Sequence, residues 1–229
     1  MLTLRNREEL KRGKQLPQRI LLYVFGVFVL SLGAIFVVNA DLGASPVQAV
    51  PLVASLTTGL SIGTSFFVIL TVFTLLQICI LRRDFQWIQL TQILAAFLFG
   101  YLVDFSNFLV GGLRIPGYFG QLLMLGIGIV LTASGVTLHM RARIINLPPE
   151  ALTAAITSKV PNGVFHRVRI VQDSALVVIA VLLSFLFLDG LYGVREGTVI
   201  TAILVGKCIQ YTNRVWVPLL KRLGFNTEE

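Results

Sequence analysis

The sequence predicts an all-α polytopic membrane protein with six transmembrane helices, arranged as an inverted 3+3 repeat with a short helix after spans one and four. Three observations lead to this. First, 55% of the 229 residues are hydrophobic and 13% charged, with a mean hydropathy of +0.83, whereas soluble domains carry about 25% charged residues. Second, six apolar runs are long enough to cross about 30 Å of hydrocarbon. Third, two stretches at 45–58 and 148–158 are too short to cross, and each opens with proline at the head of a helical pattern between two long runs.

Residues 1–18 contain Arg5, Arg7, Lys11, Arg12 and Lys14 without apolar periodicity and form a cytoplasmic flank. The run from Ile20 to Val38 exceeds the roughly 7 to 15 residues of a secretory core, so it is an uncleaved first span even though Val38-Asn39-Ala40 resembles a cleavage site. In Leu42-Gly43-Ala44-Ser45-Pro46, Ser45 can cap a helix whose first position is proline, where the missing N–H costs nothing. The second span covers Gly63 to Leu81 and closes on Arg82-Arg83-Asp84, and the third covers Ile88 to Val110. A tight connection, Gly111-Gly112-Leu113-Arg114-Ile115-Pro116-Gly117, divides a first repeat at 19–112 from a second at 113–217. Span four runs from Tyr118 to Leu138, followed by Leu147-Pro148-Pro149-Glu150 and the second short helix. Spans five and six cover Arg169 to Leu188 and Gly197 to Trp216, leaving 218–229 as a cytoplasmic tail. Whether the short helices re-enter the membrane or lie at its surface is open at this stage.

The loop charges orient the chain. With the N-terminus inside, the inner segments hold sixteen Lys and Arg against Arg114 and Arg195 outside, which sets both termini in the cytoplasm. Trp87 and Trp216 then sit at the inner interface, where aromatic rings anchor spans. The net charge of +8 does not mark a nucleic-acid binder, because its basic residues cluster at the ends of apolar runs. Three spacings support the duplication. Pro46 and Pro149 lie 103 residues apart, as do Ser55 and Ser158, while Gly100 and Gly206 lie 106 apart. Three spans per repeat force opposite orientations, a common transporter plan with the substrate site near the midplane.

Several of these pieces resemble the YczE/YyaS/YitT family of bacterial integral membrane proteins. They are Leu42 to Pro46, Phe99-Gly100-Tyr101-Leu102-Val103-Asp104, Pro149-Glu150-Ala151-Leu152, Val171-Gln172-Asp173-Ser174, and above all Gly193-Val194-Arg195-Glu196-Gly197-Thr198 with Ala202-Ile203-Leu204-Val205-Gly206. The resemblance implies a multi-pass protein of the bacterial plasma (inner) membrane and names no reaction.

An ionisable residue inside a span costs at least about 2.5 to 3.5 kcal/mol on insertion scales, so each needs a protein partner, water or a role. Lys207, near the middle of span six, either pairs with Asp173 or Asp104 or binds an anionic ligand. Asp173, in the inner part of span five, either pairs or carries a proton or cation. Glu150 opens the second short helix, where the macrodipole alone favours a carboxylate. Asp104 lies in the outer third of span three, close enough to the surface for solvation to explain it. Asn39, Asp41 and Gln48 bracket the first short helix and could line an outer vestibule, or simply end span one. Glu196 with Gly197 and Thr198 starts span six as a cap, or gates it. His139, beside Arg141 and Arg143, reads as a polar flank. Cys79 and Cys208 fall inside spans and act as small packing residues.

The sequence has no phosphate-binding loop, zinc-protease pair or nucleophile elbow, no metal-ligand spacing and no cofactor motif, so no enzyme is expected. The expectation is a secondary small-molecule transporter with a site at Lys207, Asp173 and Glu150, with Asn39, Asp41, Gln48, Asp104 and Glu196 as further candidates. Its partners would be the lipid bilayer and a small molecule or ion, with oligomeric state open. The alternatives are a substrate-binding membrane subunit of a multi-component transporter, or an accessory or scaffold protein that moves nothing.

Overall fold

The computed structural model describes residues 16–222, leaving most of the N-terminal flank and the last residues of the tail outside it. Among the described residues there are eight α-helices and no strand. They are α1 (Leu16–Asn39), α2 (Pro46–Thr58), α3 (Ile62–Leu81), α4 (Thr91–Val110), α5 (Tyr118–Ala142), α6 (Pro148–Lys159), α7 (Phe165–Leu188) and α8 (Glu196–Arg222), with two 3₁₀ turns between α3 and α4. Five of them, α1, α3, α4, α5 and α7, belong to segments long and apolar enough to cross a membrane. This makes the chain a membrane protein. The sixth expected span, α8, has 27 residues but is not among the five. Lys207, Gln210, Asn213 and Arg214 dilute its apolar run.

Local chemistry explains the helix ends. Proline heads both short helices, where its fixed φ suits a first turn. The Ser61 hydroxyl accepts from the Thr64 N–H and caps α3. The Asp104 carboxylate, reaching across from α4, accepts from the Gly63 N–H at 2.7 Å and the Ser61 hydroxyl at 2.6 Å, so it completes the same cap.

The most extensive packing is the antiparallel crossing of α1 and α5. A Cβ at Gly26 would lie 2.5 Å from the His139 backbone nitrogen, one at Gly33 2.5 Å from that of Thr132, and one at Gly135 against the backbone of Leu30. Only hydrogen on those α-carbons lets the two helices meet at such distances, which is how helices associate where no hydrophobic effect separates protein from lipid.

The other contacts fall into corresponding sets. α4 lies along α1 and α8 along α5, α2 packs on α7 and α6 on α3, and each short helix also touches the long helix that follows it. Hydroxyl pairs repeat this pattern. Ser31 of α1 meets Ser106 of α4 at 2.8 Å, Thr137 of α5 meets Thr212 of α8 at 2.8 Å, and both pairs are 75 residues apart in the chain. The correspondence breaks at one place. α3 and α4 pack closely, with Gly100 against the Gly63 carbonyl oxygen, whereas α7 and α8 share no extended contact and a side chain at Gly206 would meet nothing within 4 Å.

These contacts separate two glycines that lie nine and ten residues into their helices. Gly100→Ala should destabilise by about 1 to 3 kcal/mol through overpacking against α3, while Gly206→Ala should be neutral or slightly stabilising. Thermal unfolding of the two variants in one detergent tests this. Equal losses would show that α8 is packed in the same way as α4.

Candidate functional site

The polar interior gathers around the first turn of α6. Pro148 and Pro149 have no N–H to leave unpaired in the first turn, and their carbonyls, already engaged by the helix, take second hydrogen bonds inside the bundle. Buried glutamine amides supply them. Gln77 of α3 donates to the Pro148 carbonyl at 3.4 Å and to the Gln92 side-chain oxygen at 3.1 Å. Gln172 of α7 donates to the Pro149 carbonyl at 3.2 Å and accepts from the Thr153 hydroxyl at 2.9 Å. Gln172 is seven residues into α7, about 10 Å along the axis at 1.5 Å per residue. The far end of α6 returns to the edge of the bundle, where Lys159 pairs with Asp84. The short helix therefore lies tilted, with its first turn inward.

Glu150 follows the two prolines and enters an ion cluster on α7. Arg169 donates from Nε to Asp173 at 3.1 and 3.2 Å, and its Nη1 lies 3.5 Å from Glu150 Oε1. Two carboxylates thus share one guanidinium, with side chains 19% to 27% exposed. Glu150 Oε2 is buried and has no hydrogen-bond partner.

Two further buried side chains meet at the α1–α5 crossing. Tyr23 and His139 pack edge to face, ring centroids 6.2 Å apart, at 5% and 1% exposure. His139 Nδ1 lies 3.0 Å from the Gly135 carbonyl oxygen. A carbonyl can only accept, so in the neutral ring Nδ1 carries the proton and Nε2 is an acceptor. Both His139 Nε2 and the Tyr23 hydroxyl are buried without a partner. An unsatisfied buried polar atom costs about 1 to 3 kcal/mol, and Glu150, Tyr23 and His139 each carry one.

Beside α6 an open cleft of about 570 Å³ runs between Gln89, Gln92, Asn146, Ala151, Ala154 and Ser158. Gln92 belongs both to its wall and to the glutamine pair that holds Pro148. The cleft thus reaches from the end of the bundle to the polar layer.

The residues singled out from the sequence separate into three groups. Glu150 and Asp173 are brought together, through Arg169. Asn39, Asp41, Gln48 and Glu196 lie at the opposite end, around the start of α2. There the Gly197 N–H donates to the Leu42 carbonyl at 2.7 Å, the Ala44 N–H to the Gly193 carbonyl at 2.9 Å, and Arg195 to the Asp41 carbonyl at 2.8 Å. Gly43 has φ +97, and a Cβ on it would meet the Arg195 backbone nitrogen at 2.5 Å, so the loop needs glycine. Asn39 donates to the Val110 carbonyl at 2.7 Å, Glu196 pairs with Arg195, and only Gln48 keeps a buried oxygen without a partner. These residues clasp α2 to the approach to α8. Asp104 caps α3.

Lys207 stands apart. It is exposed on α8 and makes no hydrogen bond or ion pair among the described residues, which corrects the expected pairing with Asp173 or Asp104. α8 reaches the rest of the chain mainly through α5, and the lysine lies off that seam. Tyr23, His139 and Arg169 were missed as site residues because an apolar run, a helix end and a loop charge are their ordinary settings. The Arg169–Asp173 spacing of one helical turn was the available signal. Among the described residues no three His, Cys, Asp or Glu side chains gather as metal ligands do.

Comparison with known proteins gives two matches. A family model described as a family of unknown function (DUF6198) matches residues 17–214. An uncharacterized protein of Bacillus subtilis (strain 168), YyaS, is 26% identical over 201 residues, covering 87% of this chain and 92% of the relative. No solved structure gives a significant match.

The ion cluster makes a prediction of its own. Arg169→Met leaves two carboxylates facing each other and should cost about 3 to 5 kcal/mol, the usual penalty for stripping one partner from a buried pair. Adding Asp173→Asn should recover a good part of that loss. Chemical denaturation of the single and double variants checks it, and additive losses would mean that the two side chains are not coupled.

Proposed function

Starting from the fact that the chain belongs to the DUF6198 family, which carries no assigned activity, we propose that it is a secondary small-molecule transporter of the bacterial inner membrane. In this reading it has six spans, α8 being the sixth, in two inverted repeats at 19–112 and 113–217, and both termini are cytoplasmic. The motifs that resemble the YczE/YyaS/YitT family support the reading as a multi-pass bacterial membrane protein.

The observation that carries the proposal is the presence of unpartnered buried polar atoms on Tyr23, His139 and Glu150, the last of them in an ion cluster between α6 and α7. A scaffold would gain stability by removing such groups, and a binding site has use for them. Two further observations support it. The matching helix contacts and the repeated hydroxyl pairs are what a two-fold duplication produces, and substrate sites of such folds lie where the halves meet. The single break in that pattern, with α3 closed on α4 and α7 parted from α8, is what one state of an alternating pair would look like.

The test is thermal unfolding of the purified protein against a panel of amino acids, vitamins, organic anions and organic cations. A ligand at a hundredfold excess over Kd stabilises by about 2.7 kcal/mol. A stabilising compound should lose its effect in Glu150→Gln and Tyr23→Phe and keep it in Lys207→Ala. Loss in Lys207→Ala alone would move the site to α8.

The orientation can be checked separately. With Cys79 and Cys208 replaced by Ser, Arg114→Cys in the exposed α4–α5 loop should react with a membrane-impermeant maleimide in intact cells, and Arg83→Cys should react only after lysis. The opposite pattern would reverse the topology.

A further inference from the structure

We propose that the cleft beside α6 and the clasp around α2 are the two mouths of the transport path, one open and one closed, and that they exchange states. The inference rests on the transport reading above and adds its gate residues. Corresponding positions of the two halves build both places. Asp41 and Leu42 stand 103 residues before Ile144 and Ile145, the spacing of Pro46 and Pro149. Gln89 and Thr91 stand 106 residues before Arg195 and Gly197, the spacing of Gly100 and Gly206. At the α2 end these positions are joined, the Gly197 N–H donating to the Leu42 carbonyl and the Arg195 guanidinium to the Asp41 carbonyl. At the α6 end all four counterparts line the cleft of about 570 Å³, and among the described residues no backbone hydrogen bond crosses it. The Thr91 N–H turns back instead to the Ile88 and Gln89 carbonyls of its own 3₁₀ turn.

The side chains repeat the difference. Gly193, in the connection that leads to α8, lies so near α2 that a Cβ on it would come 3.2 Å from Val53 and 3.6 Å from Leu52. Its counterpart 106 residues earlier is Trp87, in the connection that leads to α4, and Trp87 is 81% exposed. One connection is thus down on its short helix and the other is lifted from it. The wall that α6 offers to the cleft is made of Ala151, Ala154, Ala155 and Ser158, small enough to let the lifted connection descend. What fastens the α2 end is a handful of hydrogen bonds, and bonds of that kind are readily traded for their counterparts at the other end. A path that serves both sides of a membrane needs one mouth shut while the other is open. The open one leads inward, because Gln92 belongs to its wall and to the glutamine pair that holds Pro148, next but one to Glu150.

Spin-label distances across the two mouths test this without a ligand. The full-length protein in nanodiscs, with Cys79 and Cys208 replaced by Ser, carries Trp87→Cys with Ser158→Cys across the cleft, or Leu56→Cys with Tyr192→Cys across the clasp, all four positions being exposed. Two variants loosen the clasp. Gly43→Ala places a Cβ 2.5 Å from the Arg195 backbone nitrogen at a φ of +97, and Arg195→Ala, at an exposed position, removes only the bond to Asp41. Each should lengthen the clasp distance and shift the cleft distance to shorter values, Gly43→Ala more than Arg195→Ala. A clasp that opens while the cleft distance stays the same overturns the proposal, and so does a clasp distance that stays short in both variants. The failure of this inference and of the transport reading remain distinguishable. Exchanging distances in a protein that no compound of the panel stabilises would leave the two gates standing and remove transport, whereas a stabilising ligand with fixed distances would do the reverse.

Discussion

The structure depends on the antiparallel crossing of α1 and α5. In a bilayer no hydrophobic effect pulls two apolar helices together, so association must come from close packing and polar contact. Glycines at 26, 33 and 135 bring the two backbones to distances that any side chain would prevent. Everything else is hung on this pair. α4 lies along α1 and α8 along α5, each with one hydroxyl–hydroxyl contact, and the short helices close the two ends. The crossing also places chemistry, because Gly26 packs on the backbone of His139, and Tyr23, one turn earlier, meets its ring.

The inner short helix is the second organising element, and its prolines explain why. A helix that opens with two prolines has fewer orphan N–H groups in its first turn, so that turn is buried at less cost. Inside the bundle the Pro148 and Pro149 carbonyls take second hydrogen bonds, from Gln77 and from Gln172 and Thr153. Having assembled that polar layer, the fold can accept Glu150 beside it and share Arg169 between two carboxylates. Such an arrangement is weak as a source of stability, since desolvating ions offsets most of their attraction. The unpartnered atoms of Tyr23, His139 and Glu150 add cost with no structural return. That imbalance is the physical basis for the proposal that a ligand binds in this region.

The two ends contrast in a useful way. Around α2 nearly every candidate group is committed, with Arg195, Asp41, Gly197 and Leu42 bound into one clasp and only the Gln48 side-chain oxygen left over. Around α6 the ions are partnered to each other and Glu150 Oε2 remains free. Similar sequence signals, a proline-headed short helix with nearby charge, thus lead to a fastening in one place and a candidate site in the other. Proline placement is local, but which groups stay unsatisfied depends on what the neighbouring helices bring.

Membrane class, all-helical architecture and the bounds of the two short helices were legible in the sequence, because span length, hydropathy, proline at helix starts and glycine at turns act within a few residues of one another. The short helices fell within a residue of their expected bounds for that reason. Glu150 and Asp173 were also found from sequence, since a carboxylate in an apolar setting is costly wherever it faces. Partners were not legible. Lys207 looked central by its depth in a span, yet it faces outward on α8, because depth gives no azimuth on a helix held mainly along one seam. His139 looked like a flank, yet it is almost fully buried, because α5 continues to Ala142 and α1 covers it. The sequence by itself determined which segments are helices and which residues are expensive to bury. Tertiary structure decided which of them meet, because that depends on helix rotation and on approaches only glycine permits.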